Sequence, residues 1–127
     1  MTHLQMRAAK PFLALAVVIG LGLSAGGCTK DDAVKLIIRQ RFGAQAGIAI
    51  QIATCESRLV PTAISPDRNN IGLFQINRVH ASWIKSQLGY SYGQLTDPWK
   101  NTRVARIMYN ESGWAPWHGT CGGRLGI

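Results

Sequence analysis

Residues 47–61 read Gly47-Ile48-Ala49-Ile50-Gln51-Ile52-Ala53-Thr54-Cys55-Glu56-Ser57-Arg58-Leu59-Val60-Pro61, and this stretch decides the fold. Its apolar run is uninterrupted by turn formers, which predicts a helix that is buried almost all round. Pro61 excludes helix much beyond Val60, because the residue before a proline avoids helical dihedral angles. Glu56 is therefore expected near the C-terminal end of a buried helix.

Glu56 is the strongest candidate for a catalytic residue. The C-terminal end of a helix carries partial negative charge, and a buried position offers little water. Both effects disfavour a carboxylate, so we expect this side chain to keep its proton to higher pH than a surface glutamate does. A protonated carboxyl can act as a general acid.

The beginning of the chain has the pattern of an export signal. Arg7 and Lys10 form a basic start, residues 12–23 carry no charge, and small residues follow. We therefore predict a signal peptide over residues 1–28 and one small domain over residues 29–127, with a periplasmic or extracellular location. An uncleaved signal anchor is the alternative, although the apolar run is short for a membrane span.

The small residues end at Cys28, and this ending resembles a bacterial lipobox. The resemblance implies that Cys28 becomes the lipidated first residue of the mature protein and anchors it to a membrane. Ala25 stands where lipoboxes usually have leucine, so cleavage by ordinary signal peptidase nearby is the alternative.

The cysteine count supports an oxidising compartment. The chain has three cysteines, Cys28, Cys55 and Cys121, and an odd number in an exported protein indicates that one is used differently. With Cys28 set aside, we predict a disulfide between Cys55 and Cys121, which would tie the neighbour of Glu56 to the C-terminal tail. The alternative is two unrelated buried thiols.

The chain is strongly basic, with a formal net charge of +8. Loss of Arg7 and Lys10 with the signal leaves +6, since all six acidic residues follow Cys28. A basic domain favours an anionic partner. Nucleic acid is not expected, because the protein is exported and its basic residues are scattered, whereas bacterial cell wall is also anionic. A basic surface that serves solubility alone is the alternative.

The mature chain is predicted to contain four helices and a hairpin-like loop before a tail. Asp31 or Asp32 is expected to cap a helix that runs to about Phe42, and the helix with Glu56 follows. Turn formers over residues 65–70 then separate two apolar stretches, 62–64 and 71–76, as in an irregular hairpin. The last two helices are expected at 79–88, ending at Gly89, and from Asp97-Pro98 to Tyr109 or Glu111.

Three short motifs follow one another between about residues 45 and 117. They are Glu56-Ser57 with Pro61 and Ala63 behind it, the run Gly72-Leu73-Phe74-Gln75-Ile76, and Asn101 with Ala105 and Tyr109 at helical spacing. In this order and with these gaps, the motifs resemble the lytic transglycosylase (SLT) branch of the lysozyme-like superfamily. The resemblance implies a lysozyme-like α+β fold that is predominantly α and has a small irregular β-hairpin.

The same resemblance implies cleavage of the β-1,4 bond between N-acetylmuramic acid and N-acetylglucosamine in peptidoglycan. The residue corresponding to Glu56 protonates the leaving oxygen in that family. Glycosidases usually pair two carboxylates. The other acids are poorly placed, because Asp31 and Asp32 lie at the mature N-terminus, Asp97 resembles a cap and Asp67 lies in a turn.

A mechanism with one glutamate therefore suits the chain. The acetamido group of the substrate would stabilise the anomeric carbon, and Glu56 would then act as base toward the muramic 6-hydroxyl or toward water. The first acceptor makes the enzyme a lytic transglycosylase, and the second makes it a muramidase. Glu111 is a weaker candidate for a second carboxylate.

Three further residues are candidates for the substrate site, each with a structural alternative. Gln75 could bind acetamido or hydroxyl groups of the substrate, or satisfy the hairpin backbone. Ser57 could orient Glu56, or cap the end of its helix. Tyr109 could point its hydroxyl into the cleft, or lie in the core with a polar tip.

No metal or cofactor is expected, because His80 and His118 lack further ligands in a metal-binding pattern. We also expect a monomer. Two other classes of function stay open at this stage. One is a cell-wall-binding module of the same fold without activity, and the other is a structural or inhibitor-type lipoprotein.

Overall fold

The computed structural model describes residues 27–127, which form five α-helices and one two-stranded sheet. The helices are α1 (Lys30–Phe42), α2 (Ala46–Ser57), α3 (Ala81–Leu88), α4 (Pro98–Ser112) and α5 (Cys121–Leu125), and the strands are β1 (Asn70–Ile71) and β2 (Ile76–Asn77). Short 3₁₀ turns lie at Gly43–Gln45, Arg78–His80, Tyr92–Thr96 and Ala115–Trp117. The predicted class, predominantly α with a small hairpin, is confirmed. The predicted signal peptide falls almost wholly outside the described residues.

α1 begins with a capping box whose N-cap is Thr29. The Thr29 hydroxyl accepts a hydrogen bond from the N–H of Asp32 at 3.1 Å, and the Asp32 carboxylate accepts one from the N–H of Thr29 at 3.1 Å. The Thr29 hydroxyl also donates to the Asp32 carboxylate at 2.8 Å, and this bond, together with the one from the N–H of Thr29, holds the pKa of Asp32 below its ordinary value. The prediction that Asp31 or Asp32 is the N-cap is wrong, because Thr29 supplies the cap oxygen and Asp32 lies three residues inside.

α2 is buried on one side and exposed along the other. Ala49, Ile52 and Ala53 are fully buried, whereas Gln51 and Thr54 are exposed. The predicted burial all round is therefore wrong. The small and apolar residues of α2 do not mark this exposed stripe in the sequence.

α2 ends at Ser57, before the limit that Pro61 predicts. Arg58 adopts a left-handed conformation with φ 54°, and its N–H donates to the carbonyl oxygens of Ala53 and Thr54. Leu59 also has a positive φ, 60°. The chain therefore turns sharply two residues after Glu56.

The core lies around α1, which packs against both α2 and α4, and α4 also contacts strand β2 of the hairpin. Its largest fully buried apolar side chains are Phe42, Phe74, Ile38, Ile52, Leu73, Ile76, Ile84, Leu95 and Val104. α4 begins as predicted, with Pro98 in its first turn and the Asp97 carboxylate accepting from the N–H of Lys100 at 3.0 Å. Within residues 27–127, no helix has the length and apolarity that a membrane span requires.

The hairpin differs from the prediction in where its turn lies. Ile64 pairs with Ile71 in a single antiparallel bridge, so residues 65–70 do form a turn. β1 also pairs with β2, with Asn70 opposite Asn77 and Ile71 opposite Ile76. Residues 72–75, predicted to be strand-like, form the turn between these strands. The prediction is wrong here because this segment is bonded to side chains far along the chain.

Candidate active site

A cavity of about 380 Å³ lies between the end of α2, the hairpin and the segment that leads to α5. Most of the side chains that line it are polar or aromatic. They are Glu56, Ser65, Asn70, Phe74, Gln75, Ile76, Asn77, His80, Met108, Pro116, Trp117 and Thr120. Within the part of the chain that the structure describes, Glu56 is the only carboxylate on this lining.

Glu56 lies in the last turn of α2, as predicted, and is half-buried. Its Oε1 accepts hydrogen bonds from the hydroxyl of Thr120 and, at 3.3 Å, from the N–H of Cys121. Its other oxygen, Oε2, has no hydrogen-bond partner among residues 27–127. One oxygen of the carboxyl group is thus held by the protein, and the other is available for a ligand.

The predicted disulfide between Cys55 and Cys121 is present in the structure, with 5.8 Å between the two Cα atoms. It joins the neighbour of Glu56 to the neighbour of Thr120. The two cysteines are 66 residues apart, and closing a loop of that length stabilises the fold by about 4 kcal/mol in the chain-entropy description. The disulfide therefore fastens the start of α5 against the end of α2. The two groups that contact Glu56, the Thr120 hydroxyl and the Cys121 N–H, lie at this start.

Asn101 fixes the turn that forms one wall of the cavity. This side chain is fully buried, and its Oδ1 accepts from the N–H of Phe74 at 3.0 Å. Its Nδ2 donates to the carbonyl oxygens of Ile71 and Leu95, each at 3.0 Å. Gly72 passes so close that an added Cβ would lie 2.1 Å from the same nitrogen, and its φ is 79°. Only glycine fits at that position.

Trp117 holds the same turn from the other side. Its Nε1 donates to the carbonyl oxygen of Phe74 at 3.0 Å, and the two rings meet edge to face with their centroids 5.8 Å apart. Trp117 is itself buried, with 3% of its surface exposed. The backbone of Phe74 is therefore bonded on both its N–H and its carbonyl oxygen, which leaves the following residue, Gln75, in a fixed position.

Gln75 lines the cavity together with Glu56. Its Nε2 donates to the carbonyl oxygens of Gly72 at 2.9 Å and of Ala63 at 3.2 Å. The amide nitrogen thus satisfies the hairpin backbone, which is one of the two roles considered for it. Its Oε1 has no partner within residues 27–127 and remains available as an acceptor.

Ser57 and Tyr109 are not among the residues that line the cavity. The Ser57 hydroxyl is buried and donates to the carbonyl oxygen of Ala53 at 2.9 Å, so it serves the end of its own helix. The Tyr109 ring packs against Trp114 and Phe42, with centroids 4.5 and 6.0 Å away. The structure therefore unites Glu56 with Gln75 but not with these two.

Thr120 and His80 are among the cavity residues that the sequence did not place in the site. Thr120 directly precedes Cys121, so the predicted disulfide already contained the signal that this residue lies near Glu56. His80 lines the cavity, and its Nδ1 accepts from Nε1 of Trp83 at 3.1 Å. No sequence pattern marks His80, because its place depends on the 3₁₀ turn after β2.

The remaining acidic side chains serve local structure. The Asp67 carboxylate accepts hydrogen bonds from the Ser65 hydroxyl and from the N–H of Asn69, and these bonds hold its pKa below the ordinary value. Asp97 caps α4, and Glu111 is exposed near the end of that helix. Residues 27–127 contain no cluster of three or more His, Cys, Asp or Glu side chains that could hold a metal ion.

A family model described as the transglycosylase SLT domain matches residues 36–112. The chain belongs to this family. No curated protein and no solved structure matches the chain. The match agrees with the arrangement of α1, α2, the hairpin and α4, so the lysozyme-like fold inferred from the sequence motifs is confirmed.

Membership of the SLT family connects the protein to peptidoglycan in general terms. The family supports cleavage of peptidoglycan in the manner of a lytic transglycosylase, and it places the substrate in the periplasm or outside the cell. The matched residues include Glu56, Gln75 and Asn101. Trp117 and Thr120 lie beyond the end of the SLT match.

Proposed function

We propose that this protein is an exported enzyme that cleaves the β-1,4 bond between N-acetylmuramic acid and N-acetylglucosamine, with Glu56 as the general acid and then the general base. One observation carries the proposal: Glu56 is the only carboxylate on the lining of the cavity, within the described part of the chain. An SLT domain with a single acid at this position fits a mechanism in which the substrate supplies the second group.

In the first step, the proton of Glu56 passes to the glycosidic oxygen while the bond between that oxygen and the anomeric carbon breaks. The acetamido oxygen of the N-acetylmuramic acid bonds to the anomeric carbon of that sugar and takes the place of a protein nucleophile. In the second step, the Glu56 carboxylate removes a proton from the acceptor, whose oxygen bonds to the anomeric carbon while the bond from the acetamido oxygen to that carbon breaks. That acceptor is the muramic 6-hydroxyl, which gives a 1,6-anhydro end, or water, which gives a reducing end.

The lining of the cavity supports a substrate that carries acetamido groups. Gln75 offers a carbonyl oxygen, while Asn70 and Asn77 contribute amide side chains nearby. Such groups can donate to and accept from sugar hydroxyls and N-acetyl groups. The predicted mature charge of +6 favours anionic wall, because peptidoglycan carries carboxylates on its peptide stems.

The decisive experiment compares Glu56→Gln with Glu111→Gln. These are the only two glutamates in the chain, and Glu111 is exposed. Wild type and Glu111→Gln should both lyse purified cell wall, whereas Glu56→Gln should bind wall without lysing it, because an amide has the shape of the neutral acid but cannot donate the proton. Lysis by a folded Glu56→Gln variant removes this residue from the mechanism.

Mass spectrometry of the released muropeptides separates the two acceptors. We expect 1,6-anhydro ends, the product of a lytic transglycosylase. Reducing ends identify a muramidase instead. A wild type that binds wall and releases no product identifies the binding module without activity.

We further propose that residues 1–28 are a signal and that residues 29–127 form one monomeric domain. Cys28 is an exposed free thiol directly before Thr29, the N-cap of α1. A lipid on Cys28 would therefore hold the domain next to its membrane, with almost no linker in between.

A further inference from the structure

Two hydrogen-bond donors from the segment beyond the SLT match converge on one oxygen of Glu56. They are the hydroxyl of Thr120 and the N–H of Cys121, and both contact Oε1. We propose that Thr120 is a positioning residue which, together with this N–H, keeps the catalytic proton of Glu56 on Oε2. The inference rests on the proposed role of Glu56 as the acid and names the group that orients it.

The N–H of Cys121 favours one of the two oxygens as the site of the proton. A backbone N–H can only donate, and the carbonyl oxygen of a neutral carboxyl group accepts a hydrogen bond better than its hydroxyl oxygen does. Oε1 is therefore favoured as the acceptor both when Glu56 is ionised and when it is neutral, which favours Oε2 as the oxygen that carries the proton. Oε2 is also the oxygen without a hydrogen-bond partner among the described residues.

The Thr120 hydroxyl adds the orientation that one amide cannot supply. The terminal torsion of a glutamate is broad and roughly two-fold, so a single donor leaves the carboxyl plane free to rotate. A second donor on the same oxygen restricts that rotation. The Thr120 hydroxyl has one proton and two acceptors within reach, Oε1 and the carbonyl oxygen of Trp117 at 3.2 Å. A carboxylate accepts a stronger hydrogen bond than a neutral carbonyl oxygen does, which favours Oε1 for this proton.

Thr120 is itself held by the wall of the cavity. Its N–H donates to the carbonyl oxygen of Trp117 at 3.1 Å, and Trp117 is the residue bonded to Phe74. Shortly after Thr120, Gly122 and Gly123 are packed so closely that added Cβ atoms would lie 2.8 and 2.3 Å from the backbone oxygens of the preceding turn. The position of the hydroxyl is therefore fixed relative to Glu56 and to the turn that carries Gln75.

The test compares Thr120→Val with Thr120→Ser in the full protein. Valine has the shape of threonine without the hydroxyl, and serine restores the hydroxyl. We expect Thr120→Val to lower kcat for wall cleavage about tenfold to a hundredfold with KM unchanged, as for an interaction that orients the acid in the transition state. Thr120→Ser should recover at least half of the wild-type kcat. The matched control is Thr62→Val, at an exposed threonine.

A purely structural role for Thr120 predicts a different pattern. Thr120→Val would then lower the melting temperature and reduce activity in proportion to unfolding, and Thr120→Ser would not rescue kcat selectively. Wild-type kcat in folded Thr120→Val, or equal loss in the two variants, overturns the proposal. If Glu56→Gln still lyses wall, the proposed function fails first, and the role of Thr120 fails with it.

A measurement without substrate tests the contact itself. The amide proton signal of Cys121 should move with pH as Glu56 ionises, because its acceptor changes charge. This movement should persist in Glu111→Gln and disappear in Glu56→Gln. A Cys121 signal that does not respond to Glu56 shows that Oε1 is not clamped and refutes the proposal, even when Glu56 proves to be the catalytic acid.

Discussion

Replacing Asn101 by alanine should destabilise the protein more than any other single polar substitution on α4. The side chain is fully buried and makes three hydrogen bonds to backbone groups of the cavity wall, at 3.0 Å each. Alanine would leave one N–H and two carbonyl oxygens without their partner. The carbonyl oxygens belong to Ile71 and Leu95, and the N–H belongs to Phe74.

The size of the effect follows from these three bonds. A typical hydrogen bond contributes about 1 kcal/mol net, and a buried group left unsatisfied costs about 1 to 3 kcal/mol. Loss of all three partners should therefore lower the free energy of unfolding by about 3 to 5 kcal/mol, with water entry at the vacated site at the low end. Small domains have about 5 to 15 kcal/mol in total, so Asn101→Ala should be close to unfolding at growth temperature.

Urea unfolding followed by tryptophan fluorescence measures this loss. Trp117 is bonded to Phe74, as Asn101 is, and its ring packs against Trp114, so both tryptophans should report unfolding around Asn101. Asn110→Ala is the matched control, because Asn110 is exposed on the same helix. We expect the control to stay within about 0.5 kcal/mol of wild type. A loss below about 1 kcal/mol for Asn101→Ala would refute the reasoning that this amide holds the wall of the cavity.

Two further predictions concern the cysteines. Exchange of Cys55 and Cys121 for serine should lower the free energy of unfolding, measured in urea, by about 4 kcal/mol. The oxidised mature wild type should show at most one reactive thiol, and two or more thiols without reduction contradict the disulfide. Cys28→Ser should release or mislocalise the protein in cell fractionation without lowering the activity of the purified domain. A wild type that fractionates wholly outside the membrane, cleaved at another small residue such as Gly26, argues against lipidation.

The helices that carry the site were predictable because their signals are local. Asp97-Pro98 marks the start of α4 by supplying a cap oxygen and a residue that needs no N–H in the first turn. Pro61 limits α2 and so places Glu56 near its end. The position of the catalytic candidate along its helix therefore follows from residues within a few positions of it.

The parts that could not be predicted depend on contacts across the chain. The turn at residues 72–75 resembles a strand by composition, and it closes only because Asn101 and Trp117 bond the backbone of Phe74. Their separations from Phe74, 27 and 43 residues, lie far outside any local pattern. The direction of the Tyr109 ring could not be predicted for the same reason, since helical spacing cannot distinguish a ring that faces the cleft from one that faces Phe42.

The residues around Glu56 are bonded to one another as well as to Glu56. Trp117 bonds the turn that positions Gln75, and it also bonds Thr120, which contacts Glu56. The disulfide completes this set of contacts, because it joins Cys55, the neighbour of Glu56, to Cys121, the neighbour of Thr120. The disulfide holds the start of α5 beside the carboxyl group of Glu56. Its loss should therefore change the native geometry of this acid as well as the entropy of the unfolded chain. Because a disulfide needs an oxidising compartment, we expect the arrangement at Oε1 to depend on export. The proposed export of this protein and the proposed chemistry of its site are connected in this way.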